Sequence, residues 1–126
     1  MEIDCNYCHT GVRTAKHANI PSGSICMNCH IKIKTESEIL NSTLYPAMDF
    51  NPETGEFGPN QKPIEWVRVH NLPDHVYFNH SQHVQVAGLE CEECHGPVKE
   101  MGTVYQYSTL TMGWCVDCHR NKVINS

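Results

Sequence analysis

Eight cysteines fall into four pairs, each with two residues between and each followed at once by a histidine: Cys5, Cys8 and His9; Cys26, Cys29 and His30; Cys91, Cys94 and His95; Cys115, Cys118 and His119. No cysteine is left over. Two thiols three positions apart lie on one side of a helical turn. There they can form thioethers with the two vinyl groups of one porphyrin, and the next imidazole reaches the iron as proximal ligand.

The paired CxxC spacing also fits a zinc site, so spacing does not decide between the two. The histidines do. Histidine supplies 9 of 126 residues, so it should follow one cysteine pair by chance about one time in fourteen, and all four about once in 40,000. A zinc ribbon has no need of them. Thioredoxin-like redox pairs would sit in a βαβ pattern, and none surrounds these cysteines. The expectation is four covalently bound haem c groups.

Four porphyrins on a chain of this length must form much of its core, because three Phe, two Trp and five Tyr supply little bulk. The expected fold is mostly irregular, with short helices, few short strands and a core of stacked haems. A net charge of −5 with no basic stripe excludes nucleic acid as a partner. No apolar run approaches the roughly 18 to 20 residues that span a bilayer. No basic and apolar leader is visible although haem attachment requires export, so the sequence reads as a mature chain or a fragment of one.

Five further histidines, His17, His70, His75, His80 and His83, are candidates for the sixth iron positions. His70 closes a strand-like alternation from Ile64 and is favoured as a distal ligand. His17 and His75 read more readily as surface residues. Met112, three residues before Cys115, is a further axial candidate, with packing its more ordinary role. The fourth distal ligand stays open among His17, His75, Met112 and a residue upstream. Arg68, Lys99, Arg120 and Lys122 are candidate partners for haem propionates, and Trp114 for a haem edge, although solvation and simple packing are the commoner roles.

An apolar residue and an acid precede the leading cysteine twice, as Ile3 and Asp4 before Cys5 and as Leu89 and Glu90 before Cys91. This predicts one tetrahaem domain over residues 1–126 made of two dihaem modules, about 1–40 and 76–126, joined by a loop-rich insertion. In the second module His80 and His83 lie shortly before Cys91. Their counterparts in the first would lie before Met1, so the N-terminus reads as truncated. Within the insertion, Ile31 to Leu40 is predicted helical, and Asn41 to Pro63, dense in proline and glycine, as loop. Ile64 to Val69, Val76 to Phe78 and Thr103 to Tyr107 are predicted as short strands.

The aromatic run Tyr77 and Phe78 leading into His80 and His83 resembles class III cytochromes, where such a pair serves two different haems. By that resemblance His80 caps the Cys91/Cys94 haem and His83 another. The chain more broadly resembles the pentahaem cytochrome subunit of alternative complex III, a bacterial quinol-oxidising membrane complex. The segments that carry it are Ile3 to Thr10 (IDCNYCHT), Ile20 to His30 (IPSGSICMNCH), Pro63 to His83 (PIEWVRVHNLPDHVYFNHSQH), Cys91 to Pro97 (CEECHGP) and Met112 to Arg120 (MGWCVDCHR). The family's histidine-bearing segments match at His70, His80 and His83. It also has an HxxH segment before its first motif and a fifth CxxCH after its fourth, and neither is in this sequence.

The resemblance implies a periplasmic protein, or one on the periplasmic face of the cytoplasmic membrane and peripheral to a membrane complex. It would take electrons from an iron–sulfur protein and deliver them to a cytochrome or oxidase. The reading is therefore an electron-transfer protein with no catalytic residues of its own. Two alternatives belong to other classes: a multihaem reductase of an anion such as nitrite, with one open iron, and a subunit of a conducting haem filament. No cluster of catalytic residues favours the first.

Overall fold

Helical turns form at the four motifs, and little else is regular. A computed structural model describes residues 3–122. The helices are α1 (Cys5–Cys8), α2 (Gly23–His30), α3 (Tyr45–Ala47), α4 (Glu92–His95) and α5 (Met112–Asn121). Two-residue strands β1 (Phe50–Asn51) and β2 (Glu56–Phe57) pair antiparallel with Phe50 opposite Phe57. Wide π turns at Leu40–Leu44 and Gln82–Val86 and a 3-10 turn at Val98–Glu100 complete the regular structure among the described residues. This is the mostly irregular, short-helix architecture expected from the sequence.

Local side chains explain where the motif helices begin. The Asp4 carboxylate accepts the Asn6 backbone N–H at 2.8 Å and so caps α1. The Thr111 hydroxyl accepts the Trp114 N–H at 3.3 Å and caps α5. Helix α4 ends at Gly96 with φ 69° and ψ −164°, a region open almost only to glycine, and the chain turns sharply away just after His95.

The described residues fall into two compact units, one drawn from Met1–His9 and Ile20–Trp66, the other from Thr10–Asn19 and Val67–Ser126. The first holds motifs one and two and has a small apolar core of Met27, Leu40, Leu44, Tyr45, Met48 and Phe50, with Ile31 and Ile64 packed against it. Tyr45, Phe50 and Phe57 stack in series, with ring centres 5.2 and 4.8 Å apart. The second holds motifs three and four, and among its described residues the only buried hydrophobic side chain is Val12. Tyr77, by contrast, is 93% exposed and Val67 83%.

The shortage of core is measurable. The chain exposes 9538 Å² of surface. A compact protein of its mass would expose about 6,800 Å², and even two separate bodies of half that mass would expose about 8,200 Å² together. Among the described residues many large apolar side chains, Ile20, Ile39, Trp66 and Val86 with them, stay exposed.

Three local expectations are corrected. The helix predicted over Ile31 to Leu40 lies instead further along, through the π turn Leu40–Leu44 into α3, because Leu40, Leu44 and Met48 at four-residue spacing bury one face against Met27. Pro46 is tolerated at the start of α3, where it has no intrahelical N–H to give. The strands predicted over Ile64 to Val69, Val76 to Phe78 and Thr103 to Tyr107 do not form, since no neighbouring strand is there to take their backbone hydrogen bonds. The one strand pair lies inside the predicted loop, where the Asn51 side chain accepts the N–H groups of Glu53 and Thr54 and closes a tight turn.

Candidate haem-binding sites

Each motif places its two cysteines on or beside one helical turn. Cys5 and Cys8 bound α1, Cys26 and Cys29 lie within α2, Cys91 caps α4 with Cys94 inside it, and Cys115 and Cys118 lie within α5. All eight are half-buried thiols. Thiols presented as pairs with the following imidazole close by are what thioether attachment of one porphyrin per motif requires. A zinc site needs four donors around a point. Among the described residues no group of three or more His, Cys, Asp or Glu side chains is so gathered.

The motifs lie close together within each unit. Burial pushes the Cys94 thiol above the ordinary cysteine pKa, and the neighbouring Cys118, Cys115 and Cys91 push it further the same way. In the first unit burial raises the Cys26 thiol, with Cys8 adding to it and a backbone hydrogen bond working against it. Cys94 and Cys118 also line one cavity of about 290 Å³, with Trp114 and Leu89 on its wall. Trp114 therefore lines the space beside Cys94 and Cys118.

The candidate distal histidines separate by their contacts. The rings of His83 and His119 stand 6.0 Å apart, centre to centre, with 40° between their planes. Two imidazoles sharing a metal from opposite sides, each bonded at about 2 Å, have ring centres roughly 6 Å apart. The Nδ1–H of His83 donates to the Asn79 carbonyl at 2.9 Å, which fixes the tautomer and keeps the Nε2 lone pair available. Phe78 stacks on the same ring at 4.4 Å. His83 sits in the π turn Gln82–Val86, a backbone irregularity that often marks functional positions.

His80 is oriented in the same manner. Its backbone N–H and its ring Nδ1–H both donate to the Lys16 carbonyl, at 3.1 and 3.0 Å, and Phe78 meets its ring edge-on at 4.8 Å. His30, which follows the second cysteine pair, donates its Nδ1–H to the Ile33 carbonyl at 3.0 Å. In all three, a carbonyl holds one ring nitrogen and leaves the other for a metal.

His70 lies against His95. Their rings meet in a T at 4.5 Å, with His70 Nε2 3.2 Å from His95 Nδ1. Burial lowers the His70 pKa and so favours the neutral, ligating form of the imidazole.

His17 and His75 are exposed, as is Met112. His9 and His30 are the two histidines of the first unit, so no further imidazole within it can complete an axial pair for them. Of the cations expected near propionates, Arg68 donates from Nε to the His70 carbonyl at 3.2 Å, and Lys122 pairs with Glu93. The aromatic run had already set Phe78 beside the HxxH pair, whereas the carbonyls of Lys16, Asn79 and Ile33 escaped the reading of the sequence. Backbone acceptors carry no residue-type signal that a sequence could show.

Residues 76–125 match the family of cytochrome c7 and related cytochrome c. The match takes in the HxxH segment and the third and fourth motifs, and over that stretch the chain is similar to multihaem cytochromes with covalently bound haem c. No curated protein matches the chain. Among the described residues, no helix is long and apolar enough to cross a membrane.

Proposed function

We propose that this chain is a tetrahaem electron-transfer cytochrome c, acting at the periplasmic face of a quinol-oxidising respiratory complex. It would receive electrons from an iron–sulfur protein and pass them to a cytochrome or oxidase. When bound, the haems supply one-electron iron couples. The chain's own part is to attach them through eight thiols, to hold His9, His30, His95 and His119 on the proximal side, and to orient further imidazoles on the other.

The observation that carries the proposal is the pairing of His83 with His119 at the spacing of two imidazoles on one metal, with the His83 ring held by the Asn79 carbonyl and by Phe78. An iron with both axial positions filled exchanges electrons without binding a substrate. The match over residues 76–125 supports the class. The placement in a respiratory complex, the partners and the periplasmic location follow from the resemblance of the motif segments and from the need to attach haem after export.

The test is a pyridine haemochrome assay on denatured protein followed by a redox titration of the native protein. Close to four covalent haems per chain, all low-spin and titrating over several one-electron steps, are expected. A mass equal to the bare polypeptide, or nitrite binding to a high-spin iron, would overturn the proposal.

A further inference from the structure

His70 and His95 are both half-buried, and their rings meet in a T with centres 4.5 Å apart and His70 Nε2 at 3.2 Å from His95 Nδ1. That is a direct hydrogen bond. Two nitrogens so close leave no room for a metal bonded to each at about 2 Å.

The direction of the bond follows from the haem reading. When Nε2 of His95 bonds an iron, the proton of that ring sits on Nδ1, so His95 donates and His70 Nε2 accepts. A neutral imidazole that accepts at Nε2 carries its own proton on Nδ1. Neither nitrogen of His70 then has a lone pair left for a metal, although the sequence alone marks His70 as a distal ligand.

The contact is held through the backbone on both sides. The His70 carbonyl accepts from Arg68 Nε at 3.2 Å, and the next residue, Asn71, donates its N–H to Gln106 Oε1 at 2.9 Å. Gln106 in turn donates from Nε2 to the Thr109 carbonyl at 3.0 Å. The neighbouring Tyr107 ring lies against Gly96, where the chain turns directly after His95. Gln106 and Tyr107 thus touch the segments of both rings.

Other histidines treat this proton differently. His30, His80 and His83 give Nδ1–H to the carbonyls of Ile33, Lys16 and Asn79, at 3.0, 3.0 and 2.9 Å. An imidazole nitrogen is a stronger base than an amide oxygen, so His70 draws on the His95 proton more than a carbonyl would. A ligand ring pulled toward imidazolate is the more basic donor, and it favours the ferric over the ferrous state of its iron.

We infer that His70 is a positioning residue for His95: it accepts the His95 Nδ1–H, fixes the tautomer and aim of that ring, and lowers the potential of the haem attached at Cys91 and Cys94. The inference rests on the proposed function above. It leaves the other axial position of that iron to a residue other than His70.

The test uses the full-length, haem-loaded protein with His70→Leu, which has no acceptor, and His70→Gln, which can set an amide oxygen where Nε2 stands. Haem content comes from the pyridine haemochrome assay, spin state from electron paramagnetic resonance and potentials from a redox titration. In His70→Leu one potential should rise, with haem content and spin states as in the parent; in His70→Gln the same potential should fall between the two. A new high-spin haem in His70→Leu would make His70 a ligand and overturns the inference. Parent potentials in both variants overturn it, as do equal rises in both, which would report lost packing alone. A shift that survives Cys91→Ser/Cys94→Ser, where the third haem is gone, overturns it as well.

Should His70→Leu lose haem, His70→Gln decides by itself. One raised potential at full haem content and without new high-spin iron supports the inference, and parent potentials or a new high-spin iron overturn it. A parent chain without covalent haem would instead sink the electron-transfer reading, a result distinct from any of these.

Discussion

Phe78 lies nearly flat on the imidazole of His83, with 4.4 Å between ring centres and 28° between planes. Its edge meets the ring of His80 at 4.8 Å. One aromatic residue therefore contacts both histidines of the HxxH segment. Each histidine also gives its Nδ1–H to a carbonyl, so each ring has two restraints, a hydrogen bond and a packing contact.

Removing the packing contact should loosen both rings without removing a ligand. Phe78 is half-buried, so Phe78→Ala should cost less than a full core truncation, about 1 to 3 kcal/mol. Thermal unfolding of the loaded protein measures this. Haem content should stay at four, and Phe78→Leu, which keeps apolar bulk over His83, should recover most of the loss.

The parts of this fold legible in the sequence are those fixed by covalent chemistry. The motifs from Cys5 to His9 and the three later ones were expected on helical turns or irregular backbone, and a helical turn is what brings two thiols three positions apart to one side. The strand predicted at Ile64 to Val69 failed for the opposite reason. Alternation of apolar residues signals a strand only when another strand lies beside it, and here Trp66 and Val67 stay exposed. The contact between His70 and His95 was equally out of reach. It depends on Gln106 holding Asn71, a contact between residues 35 apart that no local pattern announces. His83 and Phe78, five residues apart, were nearer to legible, since the π turn that begins at Gln82 only adjusts a spacing already written in the chain.

Met27 stands between the two cysteines of the second motif and is 2% exposed, the most deeply buried side chain of the small core. It anchors α2 against Leu40, Leu44 and Met48 while Cys26 and Cys29 remain half-buried. Met27→Ala should cost about 2 to 5 kcal/mol. Denaturant unfolding gives the loss, and reduced haem occupancy at Cys26 and Cys29, read by peptide mass analysis, should accompany it.

Gly96 follows His95 with a backbone conformation that other residues rarely adopt, and an added Cβ would run into the Tyr107 ring. Gly96→Ala therefore meets conformational strain and overlap together, at about 2 to 4 kcal/mol. Because the turn at Gly96 directly follows His95, the proximal ligand under the proposed function, a high-spin fraction on one haem should appear with the loss in melting temperature. Gly102→Ala, where added bulk meets nothing, should be close to neutral and serves as the control.

Lys122 and Glu93 form an ion pair at the end of α5, with both side chains more than a third exposed or nearly so, at 42% and 34%. Solvent and salt screen such a pair, so Glu93→Gln should change stability by less than about 1 kcal/mol. Melting curves at low and high salt should differ little between variant and parent, and not at all at the higher salt. A large loss would mean that this pair holds α4 and α5 together more firmly than its exposure allows.

His83 offers the most direct reading of axial ligation, because its distance from His119 already matches two imidazoles on a shared metal. If His83 and His119 share an iron as proposed, His83→Ala should leave that iron without its second nitrogen, so one haem should become high-spin and accept an exogenous ligand such as imidazole. In His83→Met a thioether takes the place of a nitrogen, which favours the reduced iron and raises that haem's potential. The other three potentials should move far less, by electrostatic coupling alone. Electron paramagnetic resonance on the first variant and a redox titration on the second check the pair of outcomes. If both variants keep four low-spin haems at the parent potentials, His83 is not a ligand and the 6.0 Å spacing to His119 is packing.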